Sequence, residues 1–321
     1  MPKLPLKLDG YILLIFGMVI LATVLPAKGP AAPIMALSTK FAIALVFFLH
    51  GAKLSREAVL AGITHWRLHL VVLATTFVAF PLLALGLARL APSALVPGVI
   101  FLGCLPSTIQ SSIGFTAIAR GNVAATVAAA TASNLIGIVL TPLLAAILMH
   151  THGGFSLEAG RSIGLQLVLP FVAGQFARPL ISNWISTHAK WVGYADRGSI
   201  LLVVYGAFSQ AVVGGIWRQV SLIDLVWLTA LCCLLLGLVL GLTLMAARRG
   251  GFSTPDEITI LFCGSKKSLA SGVPMAGVLF PGAVLGPILL PIMIFHQIQL
   301  MACAVIAEAY AKRADTGGEP G

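Results

Sequence analysis

Apolar runs of about 20 residues, the length needed to cross a bilayer as a helix, recur along almost the whole chain. No other feature of the sequence limits its fold so severely. In lipid every backbone N–H and C=O must be satisfied inside the protein, and a helix does this within a single segment. The composition agrees: 59% of the 321 residues are hydrophobic and 9% are charged, with a mean hydropathy of +1.02. Soluble domains carry about 25% charged residues, so a water-soluble enzyme and a disordered or fibrous chain are both excluded. Twenty Lys and Arg against ten acids give a net charge of +10. That excess does not point to nucleic acid, because the basic residues lie mainly between the apolar runs, where they meet anionic lipid on the cytoplasmic side. The five cysteines all fall inside apolar runs without metal-ligand spacing, so they read as small buried hydrophobes and no cofactor or metal is expected.

Ten runs centre on residues 10–25, 34–51, 68–90, 95–119, 123–149, 163–181, 199–215, 222–247, 258–280 and 284–307. The first, behind Lys3 and Lys7, also has the make-up of a signal peptide. With the N-terminus inside, 13 basic residues, from Lys3 and Lys7 to Lys312 and Arg313, lie on the cytoplasmic side. Lys28, Arg89, Arg161 and Arg218 lie outside, and Lys40, Lys266 and Lys267 lie in spans. The positive-inside rule then places both termini in the cytoplasm, for a protein of the plasma or bacterial inner membrane. Ten spans divide into residues 1–150 and 151–321, five each, and an odd number per half makes the second half enter from the opposite side. The expected fold is therefore an all-α polytopic membrane protein of two inverted five-helix repeats. Gly137-x-x-x-x-Pro142 in span five echoes Gly286-x-x-x-x-Pro291 in span ten, and spans four and nine each carry a polar cluster. Singly, such residues read as helix packing; paired across two halves, they point to a binding site on interrupted helices.

Lys266 and Lys267 lie about nine residues into span nine, close to mid-membrane at 1.5 Å per residue. A cation at that depth costs about 2.5–3.5 kcal/mol, which calls for a cavity, a negative partner or loss of the proton. The nearest acids, Asp256 and Glu257, are at the mouth of the span. Backbone carbonyls, hydroxyls, water or a substrate anion are left as partners. Adjacent residues point about 100° apart on a helix, so one lysine is expected at a crossing and the other toward a cavity, in either order. In span four, Ser107, Thr108, Gln110, Ser111 and Ser112 follow Pro106, which cannot continue the backbone ladder and so frees carbonyls to hold a cation. Thr126 and Asn134 of span five add a hydroxyl and an amide, and His296, Gln297 and Gln299 of span ten form another polar group. His296 is the mid-span group whose ordinary titration range lies near neutral pH. Ser265 and Ser268 flank the lysines, so a lysine-activated serine hydrolase is the enzymatic alternative.

The segments Cys104-Leu-Pro-Ser-Thr-Ile-Gln-Ser-Ser-Ile113, Ala119-Arg-Gly-Asn-Val-Ala124 and Leu140-Thr-Pro142 resemble spans four and five of the bile acid:sodium symporter superfamily. Gly264-Ser-Lys-Lys-Ser-Leu-Ala-Ser-Gly-Val-Pro-Met275 and Phe295-His-Gln-Ile-Gln-Leu300 resemble its SBF-like branch, which includes the seventh member of vertebrate solute carrier family ten. The resemblance implies a panel of spans 1, 2, 6 and 7, a core of spans 3–5 and 8–10, crossing broken spans 4 and 9, and substrate taken up between panel and core. It also implies two departures. Phe262 stands where sodium-coupled members have an acid and Lys266 where they have a Gln, while Ser112 and Thr126 stay at ligand positions. The function so implied is a secondary transporter of a small organic, anionic solute by alternating access. It would be independent of sodium, with a lysine in place of the ion and proton coupling in prospect. The alternative is a membrane regulator of calcium homeostasis that acts through a partner.

Overall fold

A computed structural model describes residues 10–53, 65–149, 161, 164–280 and 282–316. Lys3, Lys7 and Arg56, which carry part of the orientation argument, lie outside the described residues. The described residues form helices and no strands: α1 (Gly10–Val24), α2 (Ala31–Lys53), α3 (Trp66–Ala88), α4 (Val96–Cys104), α5 (Gln110–Ile118), α6 (Val123–Leu148), α7 (Gly164–Thr187), α8 (Ala189–Val213), α9 (Leu222–Arg249), α10 (Thr254–Gly264), α11 (Leu269–Leu279) and α12 (Leu285–Thr316). Six helical segments among the described residues are long and apolar enough to cross a membrane: α2, α3, α6, α7, α9 and Gly282–Arg313. Phe41, Phe176 and Leu180 each expose more than three-quarters of their surface. Water would penalise so much outward apolar surface, whereas a bilayer solvates it. The chain is an integral, multi-pass membrane protein.

The expected first, fourth, seventh and ninth spans take other forms. The first coincides with the 15-residue α1. The fourth and ninth are each two short helices, α4 with α5 and α10 with α11, separated by residues 105–109 and 265–268. The seventh is longer than expected, because α8 begins at Ala189, with His188 alone between it and the end of α7. Lys190 and Arg197, two of the 13 basic residues assigned to the cytoplasmic side, therefore lie on its first turns. Their aliphatic stems let them extend a helix past its apolar stretch.

The chain forms two compact units. One contains α1, α2, α7, α8 and residues 273–289. In it Tyr205 Oη donates to the Leu25 carbonyl at 2.8 Å and Lys53 pairs with Asp196 at 2.8 Å. The other contains α3 to α6, α9, α10, the start of α11 and α12 from Leu290 onward. Residues 273–289, which the sequence reading assigns to spans nine and ten, fall in the first unit. Gly137 and Gly286, which echo one another in sequence, meet different neighbours: a Cβ on Gly137 would press on the Pro106 ring at 2.8 Å, and one on Gly286 would strike Ala211.

Candidate functional site

The second unit is organised around its two helix breaks, and the fate of each freed backbone group can be followed. Pro106 has no N–H, and the Ser107 N–H, which in a continuous helix would bond the Gly103 carbonyl, instead donates to Ser133 Oγ at 3.0 Å. Five consecutive carbonyls, 103 to 107, then need partners. Thr141 Oγ1 donates to Cys104 O at 2.8 Å, the Ser268 N–H to Pro106 O at 2.9 Å and Asn134 Nδ2 to Ser107 O at 2.8 Å. Gly103 O and Leu105 O both accept from Lys267 Nζ, at 2.7 and 2.6 Å. The second break repays the first. Phe262 and Cys263, at the end of α10, lose their ladder partners to the lysine segment and accept instead from Ser112 Oγ at 3.1 Å and Ser107 Oγ at 2.6 Å. Each break thus satisfies carbonyls of the other, as buried helix ends require.

Lys267 takes a third carbonyl from α3. Residues Thr75–Ala79 form a π-turn, in which the Phe80 N–H bonds Thr75 O rather than Thr76 O. The next residue along, Pro81, has no N–H to offer. Thr76 O is therefore left free, and it accepts from Lys267 Nζ at 2.8 Å. The ammonium is 4.1 Å from the centre of the Phe80 ring, close enough for a cation–π attraction. Three N–H donors meet three carbonyls, and the side chain is buried. The lysine's own backbone is held by Gln299, whose Oε1 accepts from Lys267 N at 2.8 Å and whose Nε2 donates to Lys267 O at 2.9 Å. The second hydrogen on that Nε2 faces His296 Nδ1 at 2.8 Å, which makes Nδ1 the acceptor.

Lys266 has different surroundings. Both lysines lie in the irregular four-residue break rather than on a helix, so the 100° argument does not govern them. Lys266 was expected to face a cavity if Lys267 took the crossing. It is fully buried, its Nζ 4.3 Å from the Phe115 ring centre and 5.2 Å from that of Phe262, with no hydrogen-bond partner among the described residues.

Six of the other residues singled out from sequence, Ser107, Thr108, Ser111, Ser112, Asn134 and Ser268, take part in hydroxyl and amide bonds at the breaks, which form two separate strings. Each hydroxyl carries one hydrogen, so the bond from Ser112 to Phe262 O orders the string Ser111 to Thr108 to Ser112, at 2.8 and 2.9 Å. Ser268 donates to Ser271 at 3.1 Å, and Ser271 to Asn134 Oδ1 at 2.7 Å. Thr126 lies apart from the breaks, bonded to Thr116, Thr259 and the Asn122 carbonyl at 3.0–3.1 Å. Gln110 is exposed at the first residue of α5, and Gln297 Oε1 is buried without a partner among the described residues. Ser265 donates to the Leu261 carbonyl at 2.6 Å. Neither Ser265 nor Ser268 is paired with a lysine ammonium in these bonds. The acids stay in the first turn of α10, at its far end from the break. There Glu257 accepts from Arg248 at 3.1 Å and Tyr310 at 2.5 Å, and Asp256 from Asn122 at 2.9 Å.

Sequence reasoning missed the Thr76 carbonyl and the part played by Gln299. Pro81, five residues after Thr76, is the local signal for the first. Nothing local marks the second, because it bonds across 32 positions. Asn134→Ala would strand Ser107 O and the Ser271 hydroxyl. Each buried group so stranded costs about 1–3 kcal/mol, and the expected result is a melting temperature well below that of wild type, measured in detergent. An unchanged melting point would show that these bonds carry no weight.

The family model described as the SBF-like CPA transporter family matches residues 9–312. An uncharacterised protein of Pseudomonas aeruginosa is 53% identical over 96% of this chain and 94% of its own length. A protein of Escherichia coli strain K12 named "Putative symporter YfeH" is 51% identical over the same shares. The rat protein named "Sodium/bile acid cotransporter 7" is 28% identical over 87% of this chain and 84% of its own.

Proposed function

The chain belongs to the SBF-like CPA transporter family, and on that premise we propose that it is a secondary transporter that moves a small organic anion by alternating access and without sodium. The observation that carries this reading is the Lys267 ammonium resting on three freed carbonyls where two broken helices meet. Freed carbonyls at broken membrane helices are the groups that coordinate coupling ions in secondary transporters. Here a side chain fills that role, so the positive charge is built in and no sodium is consumed. The reading assigns coupling to protons, and the polar groups lining the breaks, with Ser107, Thr108, Ser111, Ser112, Asn134 and Ser268 foremost, to the solute's path. Both termini are placed in the cytoplasm.

The rat relative's name includes sodium, but Phe262 and Lys266 replace the acid and amide that the resemblance assigns to sodium, and a fixed ammonium repels a cation where solvent is scarce. The test has two arms. Sodium chloride should raise the melting temperature of the purified protein no more than choline chloride at equal ionic strength. Protein reconstituted alone in liposomes should take up organic anions under a pH gradient with or without sodium. A sodium-specific thermal shift would overturn sodium independence. Silence across a broad panel of organic anions would overturn the transporter reading.

A further inference from the structure

The three carbonyls that hold Lys267 are released by features that do not involve it. The π-turn and Pro81 free Thr76 O, Pro106 and the diversion of the Ser107 N–H to Ser133 free Gly103 O, and the end of the α4 ladder frees Leu105 O. A lysine that merely found stray acceptors would leave them scattered. These converge on one point, with distances of 2.6–2.8 Å from a single nitrogen. The lysine is also the only member of the group that comes from the second break. Its backbone is fixed independently through Gln299, so the receptor and the tether are separate constructions.

We propose that Thr76 O, Gly103 O and Leu105 O form a preformed receptor for a primary ammonium ion, which Lys267 occupies as a tethered ligand and which a free alkylammonium ion will enter once the tether is cut. The proposal rests on the reading of Lys267 as a built-in cation and names the class of ion that its seat accepts. The chemistry ranks the candidates. A primary ammonium brings three N–H donors to three acceptors, and its alkyl tail fills the channel left by the side chain and lies over the Phe80 ring. A potassium or sodium ion would find only three carbonyls in place of a full hydration shell. A quaternary ammonium has no N–H at all. Lys267→Ala removes the atoms from Cγ to Nζ, and n-propylammonium restores the same set. Lys266 supplies the internal control, because its ammonium meets two aromatic rings and, among the described residues, no acceptor.

The experiment uses the full-length chain in detergent, with n-propylammonium, potassium, sodium and tetramethylammonium chlorides as probes and choline chloride at equal ionic strength as reference. In Lys267→Ala, n-propylammonium should raise the melting temperature saturably, as a ligand that binds only the folded state must. It should recover most of the drop caused by the substitution, with smaller shifts from potassium and sodium and none from tetramethylammonium. Wild type and Lys266→Ala should not respond. Equal responses of Lys267→Ala to n-propylammonium and choline would overturn the proposal. If Lys267→Ala yields no folded protein, wild type labelled with 15N at lysine Nζ decides. One ammonium should exchange its protons far more slowly than the others and persist in Lys266→Ala. Uniformly fast exchange overturns the proposal. These readouts require no transport, so a protein that binds the amine but moves no anion would sink the transporter reading and leave the receptor standing.

Discussion

Lys267→Met should cost the protein its fold, whereas Lys266→Met, one residue away, should leave it folded. Both side chains are buried and both substitutions remove a charge at nearly constant volume. What differs is what each ammonium leaves behind. Methionine at 267 strands the carbonyls of Thr76, Gly103 and Leu105. Each unsatisfied buried carbonyl costs about 1–3 kcal/mol, and the sum is a large part of the roughly 5–15 kcal/mol that separates folded from unfolded proteins. Relief from burying a charge offsets some of this, but removing one member of a satisfied buried group is the unfavourable direction. Methionine at 266 strands no described group, because that Nζ has no hydrogen-bond partner among the described residues, and a thioether packs well between the Phe115 and Phe262 rings. Its expected effect is neutral to stabilising. Arginine at 267 should fare almost as badly as methionine, since a planar guanidinium cannot aim three donors at three carbonyls that converge on one point. The measurement is the monodisperse fraction and melting temperature of each variant in detergent. Equal damage at 266 and 267 would refute the division of labour between the two lysines.

The local signals in the sequence were readable because they act on neighbours in the chain. Pro106 ends a ladder whatever surrounds it, so the break in span four and its freed carbonyls could be foreseen. The two lysines inside an apolar run demanded partners, and the absence of acids left carbonyls and hydroxyls as candidates. Which lysine would meet them could not be foreseen. That depends on the break being irregular rather than helical, and on a π-turn about 190 positions earlier in the chain. The six long membrane segments were visible as apolar runs, but their packing faces were not. Helices solvated by lipid are apolar all round, so no stripe marks the side that meets a neighbour. Close contacts then depend on single small residues, which look alike in sequence. Gly51, Gly137 and Gly174 are three among 33 glycines.

That indifference of sequence makes the crossing of α2 and α7 the place where the smallest change should do the most damage. Gly51 faces the backbone carbonyl of Phe171, and Gly174 faces that of Phe48, so each glycine admits the other helix's main chain. A methyl group on Gly51 would collide with Phe171 O and stand 3.2 Å from the Gln175 N–H nitrogen. One on Gly174 would collide with Phe48 O and come within 2.9 Å of the Ala52 nitrogen. None of these atoms is the end of a flexible side chain, so the only relief is separation of the helices. Separation also breaks the bond from Gln175 Nε2 to Gly51 O, 2.8 Å long. In lipid no hydrophobic force draws the helices back together, because the acyl chains are as apolar as the side chains, so the close van der Waals contact is itself the attraction that is lost. Overpacking a filled contact costs about 1–3 kcal/mol, and the broken hydrogen bond adds about 1 kcal/mol. Gly51→Ala and Gly174→Ala should each lower the melting temperature sharply. The double variant should cost less than the sum of the two, because the first methyl already parts the helices that the second would strike. Gly17→Ala, where a Cβ meets nothing within 4 Å, should be neutral. Wild-type melting for both crossing variants would show that the helices do not approach so closely.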